Sequence, residues 1–260
     1  MDAFLAALTQ ALLAPDVSPL VQLGLVLVSF LTSAVSAAFG LGGGVMLIGI
    51  MALVMPIAAL VPVHGMVQLG SNAGRAAVLL GHVNWTAALW FLAGAVLGAI
   101  AGGAVAINLP GAVIRLALGL FILWMVWGRP PRFANTPKRA MAGAGFIATA
   151  LSMIFGATGP IGGAVLAALG LTRKSFVATQ AVTALCMHVL KIAVFGALGF
   201  AFAPWAGLIV LMIASGFLGT LAGTRLLSDM PEKAFRTGFR VIMSALALTL
   251  IWRGAEALLS

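Results

Sequence analysis

The sequence predicts an all-α polytopic membrane protein built from two inverted repeats of about five crossings each, including short or broken helices at glycine-rich motifs. Three observations support this prediction: 63% of the 260 residues are hydrophobic, 7% are charged, and landmark residues recur in the same order in both halves. Long apolar runs with so little charge satisfy their backbone polar groups only as helices in a bilayer. We expect one integral membrane domain, with repeats at 1–128 and 140–260 and a cytoplasmic linker at 129–139.

The apolar runs follow one another along the chain with short loops between them. Those long enough to form membrane helices lie near 18–39, 45–61, 63–81, 86–107, 111–128, 140–156, 176–199, 204–227 and 236–257. The segment 160–171 is also apolar, but it has only about a dozen residues, which is too few for a standard span. A half-helix or a re-entrant segment is expected there.

Basic residues mark one side of the membrane. The 14 Lys and Arg residues give a net charge of +9, but most of them lie in short loops between apolar runs. Such residues set the orientation of membrane helices rather than indicating a nucleic-acid partner, and none is expected. The basic loops near 128–139, 173–174 and 225–240 are therefore predicted to be cytoplasmic, with both termini on the other side.

The internal repeat is supported by glycine, proline, tryptophan and arginine landmarks, which chance apolar similarity does not reproduce in one order. Among the matched landmarks are Phe39-Gly40 with Phe155-Gly156, Gly98 and Gly102 with Gly219 and Gly223, and Asn108-Leu109-Pro110 with Asp229-Met230-Pro231. An odd number of crossings in each half turns the second half upside down relative to the first. Inverted repeats of this kind place broken helices near the bilayer midplane.

Two glycine-rich stretches interrupt the apolar runs at matching places, FGLGGGVMLIGI at 39–50 and FGATGPIGGAVL at 155–166. Glycine and proline end helices, whereas tight helix packing accounts for only one or two of these glycines. A half-helix that begins at such a break presents free N–H groups and a positive dipole end, which favour an anion. The predicted substrate-binding glycines are Gly42, Gly43, Gly44, Gly159 and Gly162.

Polar side chains lie at membrane depth in the runs that follow the breaks, and none of them is acidic, because all five Asp and Glu residues fall in termini or loops. A cation transporter or proton pump of the usual kind needs a membrane carboxylate, so this pattern favours an anion. The candidate substrate-binding side chains are Gln68, Asn72, Arg75, Gln180, Thr183 and Lys191. His64 and His188 are the candidates for proton coupling, which without a membrane carboxylate would have to run through them, through Lys191 or through the substrate itself.

Several candidates also have a structural interpretation. Arg75 lies six residues before Gly81, so snorkelling to the membrane interface accounts for it as well as anion binding does. Lys191 is deeper in its run, where a buried cation needs a partner that no acid supplies. Both histidines are also compatible with structural hydrogen bonds.

The glycine breaks in duplicated halves and the polar stretch HGMVQLGSNAGRA resemble the sulfite exporter TauE/SafE family, also called the 4-toluene sulfonate uptake permease family. The resemblance covers nearly the whole chain. It implies a multi-pass permease of the bacterial inner membrane for sulfur-containing anions such as sulfite, sulfonates or sulfoacetate. It also implies alternating access around a site between broken helices, with no cofactor and no metal. A homo-oligomer is compatible with the sequence.

Other classes remain to be weighed against a permease. A passive anion channel is not separated from a carrier by sequence. A rhomboid-like intramembrane protease would need a nucleophilic serine with a facing histidine, but no histidine follows Ser215. An enzyme is therefore not expected, and coupling to nucleotide hydrolysis would require another chain because no Walker loop is present.

Overall fold

The computed structural model describes residues 13–39, 42–128, 137–226 and 232–259, and in these ranges the chain folds into α-helices without β-strands. The first half forms α1 (Pro19–Phe39), α2 (Gly43–Val54), α3 (Ile57–Leu79), α4 (Trp85–Ala106) and α5 (Gly111–Trp127). The second half forms α6 (Ala140–Phe155), α7 (Gly159–Ala167), α8 (Arg173–Ala197), α9 (Ala206–Leu226) and α10 (Glu232–Leu259).

Large apolar side chains cover the outer surface of the helices. Leu20 and Leu27 of α1, Leu97 of α4, Val210 of α9 and Trp252 of α10 are all exposed. Helices α1, α4, α8, α9 and α10 contain segments that are long and apolar enough to cross a membrane. An apolar belt of this size is stable only against lipid, so the predicted all-α polytopic membrane fold is confirmed.

The first glycine stretch separates α1 from a helix that is too short to cross a bilayer. α2 has 12 residues, about 18 Å at 1.5 Å per residue, whereas the hydrocarbon core is about 30 Å thick. It begins after Gly42, whose φ of 100° lies in the left-handed region that favours glycine. α2 is therefore a half-helix that ends inside the membrane-spanning part of the fold.

The boundary that hydropathy predicts between 45–61 and 63–81 is wrong. The chain breaks at Met55–Pro56, and α3 continues through Pro62. Both sides of this break are apolar, so a hydropathy profile does not detect it. Pro56 holds Met55 extended at φ −112° and ψ 154°, which ends α2, whereas Pro62 only removes one hydrogen bond inside α3.

The second glycine stretch forms the corresponding break. α6 ends at Gly156, which has a φ of 75° and donates its N–H to the Ser152 carbonyl over 2.9 Å. The next helix, α7, has nine residues and carries Pro160 in its first turn, where a missing N–H costs nothing. A short helix therefore lies where a half-helix or a re-entrant segment was expected at 160–171, although α7 ends earlier, at Ala167.

The fourth helix of each half packs closely against the first helix of the other half. Glycines make both contacts, and a Cβ atom at any of them would overlap the facing backbone, so only glycine permits the approach. The pairs are Gly98 with Phe146 and Gly102 with Ala150 between α4 and α6, and Gly219 with Phe30 and Gly223 with Ala34 between α9 and α1. The facing residues occupy corresponding positions before the Phe-Gly pair that ends α1 or α6.

Corresponding helices of the two halves run antiparallel where they touch. For α3 with α8, Gly65 faces Lys191, and Asn84, five residues beyond the end of α3, donates to Thr179. For α5 with α10, the contact pairs are Ala112–Gly254 and Trp127–Ser244. In both helix pairs, rising residue numbers on one helix meet falling numbers on the other. Inverted halves require this direction, so the contacts support the inverted repeat, which stays a prediction together with its boundaries.

Most of the linker predicted at 129–139 and the landmark Asp229-Met230-Pro231 lie outside the described residues.

The prediction that all five acidic residues fall in termini or loops is wrong for two of them. Glu232 and Glu256 lie inside α10, at its first residue and in its last turn, rather than in flanking loops. These positions are still at helix ends, away from the glycine breaks.

Candidate functional site

Helices α3 and α8 cross beside the two glycine breaks, and three basic side chains meet there. A Cβ atom at Gly65 of α3 would lie only 2.9 Å from Cδ of Lys191, so the glycine leaves room for the lysine to pass. The rings of His64 on α3 and His188 on α8 lie edge to face, with 6.2 Å between their centroids. His64, His188 and Lys191 are all buried, and together they are called the basic cluster below.

Lys191 reaches the second glycine break. Its side chain is 0% exposed, and its Nζ donates to the Gly156 carbonyl over 2.7 Å. An ammonium group has three N–H donors, and this is its one hydrogen bond to the described part of the chain. A dehydrated cation with a single carbonyl partner is under-compensated, so the position favours an additional anionic partner.

His64 contacts both glycine breaks. Its Nε2 lies 3.0 Å from the Gly44 carbonyl, in the first turn of α2. Its Nδ1 faces the second break, because a Cβ atom at Gly156 would lie 3.5 Å from that nitrogen. One side chain therefore joins the two breaks and places the basic cluster between them.

Gln180 makes an equivalent contact in the second half. Its Nε2 donates to the Gly159 carbonyl over 3.1 Å, in the first turn of α7. The two residues of this pair are 21 positions apart, and those of the His64–Gly44 pair are 20 apart. Each half thus uses a side chain of its third helix to hold the first turn of its half-helix.

Three further predicted side chains lie on the same two helices. Gln68 packs directly against Gly44, where an added Cβ would overlap its Nε2. Asn72 is buried and donates to the Gln68 carbonyl over 2.7 Å, and Thr183 is buried and donates to the Gln180 carbonyl over 3.1 Å. Gln68 is therefore beside the first break, and the Asn72–Gln68 and Thr183–Gln180 hydrogen bonds each lie within one helix.

The remaining predicted glycines face neighbouring helices rather than the basic cluster. A Cβ atom added at any of these glycines would meet a neighbouring residue: Phe239 at Gly42, Thr32 at Gly43 and Phe91 at Gly162. Close packing favours glycine at these positions, together with the positive φ at Gly42. The side chain of Arg75 lies outside the described part of the structure.

Several buried polar atoms near the breaks have no hydrogen-bond partner among the described residues. They are His64 Nδ1, His188 Nδ1, Gln180 Oε1 and Thr149 Oγ1. Buried polar atoms are nearly always paired, so each of these is unused hydrogen-bonding capacity in the protein interior. Two of them belong to the basic cluster.

Sequence reasoning missed the polar groups that build the second break itself. Ser152 donates to the Gly156 carbonyl over 3.2 Å, the same carbonyl that accepts from Lys191. Thr158 donates to the Ala148 carbonyl over 2.6 Å and so ties the segment between α6 and α7 back to α6. The available signal was the hydroxyl residues that flank Gly156, one turn before it and two residues after it.

An apolar cavity of about 410 Å³ lies at the end of the bundle that carries the α4–α5 loop. Its walls come from α3, α4, α5, α6 and α8 and include Val61, Pro62, Leu109, Met153 and Phe195. Val61 is one helical turn from Gly65, and Phe195 is one turn from Lys191. The cavity therefore ends close to the basic cluster.

Two other polar residues have structural partners. Arg253 of α10 donates from Nη1 to the Leu53 carbonyl over 2.8 Å and so caps the C-terminal end of α2. Ser215 donates to the Val26 carbonyl over 2.7 Å, at the contact between α9 and α1. The Ser215 hydroxyl thus serves helix packing.

Comparison with known proteins gives one family. The model of the family described as "Sulfite exporter TauE/SafE" matches residues 25–250. The chain is also 31% identical over 200 residues to the "Probable inner membrane transporter protein TsaS" of Comamonas testosteroni, an alignment that covers 68% of this chain and 80% of the relative. No solved structure matches the chain.

Proposed function

Because this chain belongs to the sulfite exporter TauE/SafE family and is a multi-pass inner-membrane transporter rather than an enzyme, we propose that it is a permease for sulfur-containing anions. Sulfite, sulfonates and sulfoacetate are its proposed substrates. The anion binds in the basic cluster, between the two glycine breaks.

The observation that carries this proposal is the environment of Lys191. Its buried ammonium has one carbonyl partner and two further N–H donors, and the described part of α3, α6 and α8 holds no carboxylate to neutralise it. An anion stripped of water costs several kcal/mol unless the protein replaces its hydration. A sulfite or sulfonate group offers three oxygens, which suit the lysine donors and the N–H groups at the start of α2 and α7.

Alternating access is the proposed mechanism. The reciprocal contacts of α1 with α9 and of α6 with α4 would let the two halves exchange equivalent arrangements around the basic cluster. The apolar cavity near Leu109 would then be the vestibule of one of the two open states. With the predicted orientation, that vestibule faces away from the cytoplasm.

A binding screen tests the substrate class. The purified protein in lipid nanodiscs is heated with sulfite, thiosulfate, sulfoacetate, taurine, ethanesulfonate or sulfate, and with chloride as the reference. A ligand that binds only the folded state raises Tm in proportion to the logarithm of its concentration over Kd. At least one compound with a sulfite or sulfonate group should raise Tm above the chloride reference, by an amount that keeps growing with the logarithm of its concentration.

The site is tested by Lys191→Met, with Lys174→Met as the matched control. Lys174 lies in the same helix but is exposed in its first turn. Removing one partner of a buried charge pair costs roughly 2–5 kcal/mol, so Lys191→Met should weaken binding at least about 30-fold. Equal stabilisation of both variants by the ligand would contradict the proposed site.

In liposomes, saturable counterflow would indicate a carrier, whereas unitary currents would indicate a passive channel.

A further inference from the structure

The contact between His64 and Gly44 fixes which ring nitrogen of His64 carries a proton. Nε2 lies 3.0 Å from the Gly44 carbonyl, and a carbonyl oxygen only accepts hydrogen bonds. Nε2 must therefore be the N–H donor. In the neutral ring Nδ1 is then a bare acceptor, and it is buried without a partner among the described residues.

In this tautomer, an anion between the breaks would meet the bare Nδ1 of His64. The bare Nδ1 presents a lone pair toward Gly156, on the side where Lys191 donates to the carbonyl of the same residue. A lone pair repels the oxygen of an anion. If Nδ1 takes up a proton, the same atom becomes a donor, and the imidazolium adds a second positive charge without breaking the bond to Gly44.

We propose that His64 is the proton-coupling residue of this permease: the anion and one proton, carried on Nδ1 of His64, bind together. The inference rests on the proposed function and specifies how its site is regulated. Binding of the anion favours the protonated ring and the protonated ring favours the anion, because coupling between two ligands is reciprocal. Anion affinity should therefore rise as pH falls.

The neighbouring ionisable groups define the competing proton sites. α8 brings His188 and Lys191 to His64, and the described residues of α2 and α6 contribute no acidic or basic side chain. The other charged residues of the helices packed around α3 lie far along their helices: Arg115 near the start of α5, Arg173 and Lys174 at the start of α8, and Arg225 near the end of α9. Arg75 follows His64 on α3 itself by about three turns.

The second half of the molecule supplies the test variant. Gln180 donates to the Gly159 carbonyl as His64 does to the Gly44 carbonyl, and its Oε1, like His64 Nδ1, is an unpartnered acceptor. Glutamine cannot take up a proton. His64→Gln therefore keeps the structural hydrogen bond in a form that this fold already uses and removes only the titration. His82→Gln, at an exposed histidine, is the matched control.

The experiment measures the affinity for ethanesulfonate, which does not itself titrate, between pH 6 and pH 8. Proton uptake on binding is read in parallel with an indicator dye in weak buffer. In the wild type and in His82→Gln, the affinity should fall by up to tenfold for each unit by which the pH rises. Both proteins should take up close to one proton for each anion that binds. For His64→Gln the affinity should change less than about twofold per pH unit, without proton uptake.

Each result decides the question. Wild-type binding without pH dependence or proton uptake would overturn this inference and leave the proposed permease intact. Proton uptake that persists in His64→Gln would assign the proton to His188 or Lys191 and would also overturn it. If no sulfur-containing anion binds at all, both proposals fail. If His64→Gln does not fold, nitrogen-15 spectra of the double variant His82→Gln/His188→Gln serve instead, because His64 is then the one histidine left of the three. The anion must convert Nδ1 of His64 from a bare to a protonated nitrogen, and an unchanged Nδ1 would overturn the inference.

Discussion

The two half-sites share their geometry and differ in their chemistry. In the first half, His64 holds the Gly44 carbonyl over 3.0 Å, and in the second half Gln180 holds the Gly159 carbonyl over 3.1 Å. Each side chain has a second polar atom that is buried and unpartnered. One of these atoms belongs to an imidazole that can be protonated, and the other belongs to an amide that cannot.

The two half-sites therefore have a structural role in common and differ in their charged groups. The shared contact fixes the first turn of each half-helix, as symmetrical halves require. The charged groups are not shared equally, because Lys191 donates at the second break, whereas the histidine that joins both breaks comes from the first half. The shared contacts therefore belong to the frame of the predicted repeat, whereas the proposed proton chemistry belongs to the first half alone.

The largest expected effect is a loss of stability, and it tests whether the glycine contacts of α4 and α9 contribute equally to the fold. Gly98→Leu and Gly219→Leu each drive a side chain into a facing backbone, at Phe146 and Phe30 respectively. Both should destabilise the protein by roughly 3 kcal/mol or more, to a similar extent, since overpacking at a backbone contact has no easy relaxation. Thermal unfolding in nanodiscs measures this. Gly143→Leu is the control, because nothing lies within 4 Å of the Cβ position there. A large effect of only one of the two variants would break the equivalence.

Much of this frame follows from the sequence. The breaks at Gly42 and Gly156 were expected, because glycine marks positions where the backbone takes a positive φ. The glycines of α4 and α9 were identified as landmarks of the repeat, but the helices that they contact were not predicted. The break at Met55–Pro56 was not expected in place, because hydropathy is equally high on both sides of it.

The site was predictable in its residue types but not in its contacts. Lys191 and His64 were identifiable as polar groups in apolar runs. Their partners were not, because the acceptors at Gly156 and Gly44 are backbone carbonyls, which every residue has. Only the way in which the helices cross decides which carbonyl meets which side chain, and Gly65 is the residue that permits this crossing.

The next effect concerns the second break. Gly156→Ala places a Cβ atom at a φ of 75°, against Ile48 and beside His64 Nδ1. It should cost roughly 2–4 kcal/mol and weaken ethanesulfonate binding. Gly170→Ala is the matched control, because Gly170 has a φ of 65° with nothing within 4 Å, so only about 1 kcal/mol of backbone strain is expected. Equal losses of stability in the two variants would show that contact with Ile48 and His64 is unimportant.

The smallest effect separates the two half-sites directly. Gln180→Leu removes a hydrogen bond to Gly159 but no titrating group. Losing one buried hydrogen bond costs about 1 kcal/mol of stability, and the affinity for ethanesulfonate should fall by no more than the roughly fivefold to which that energy corresponds. The dependence of affinity on pH should keep its wild-type slope. A lost slope in Gln180→Leu would mean that the amide, and not only His64, takes part in proton coupling.

The central claim is that the anion lies in the basic cluster between the two breaks. The most direct measurement is a crystal structure with 2-bromoethanesulfonate, in which the bromine atom is located by anomalous scattering and the sulfonate by its density. The account predicts a sulfonate within hydrogen-bonding distance of Lys191 Nζ and His64 Nδ1, with the His64–Gly44 contact retained. A sulfonate bound elsewhere would contradict the account. In that result Lys191 would still bond only the Gly156 carbonyl, and His64 Nδ1 would still have no partner.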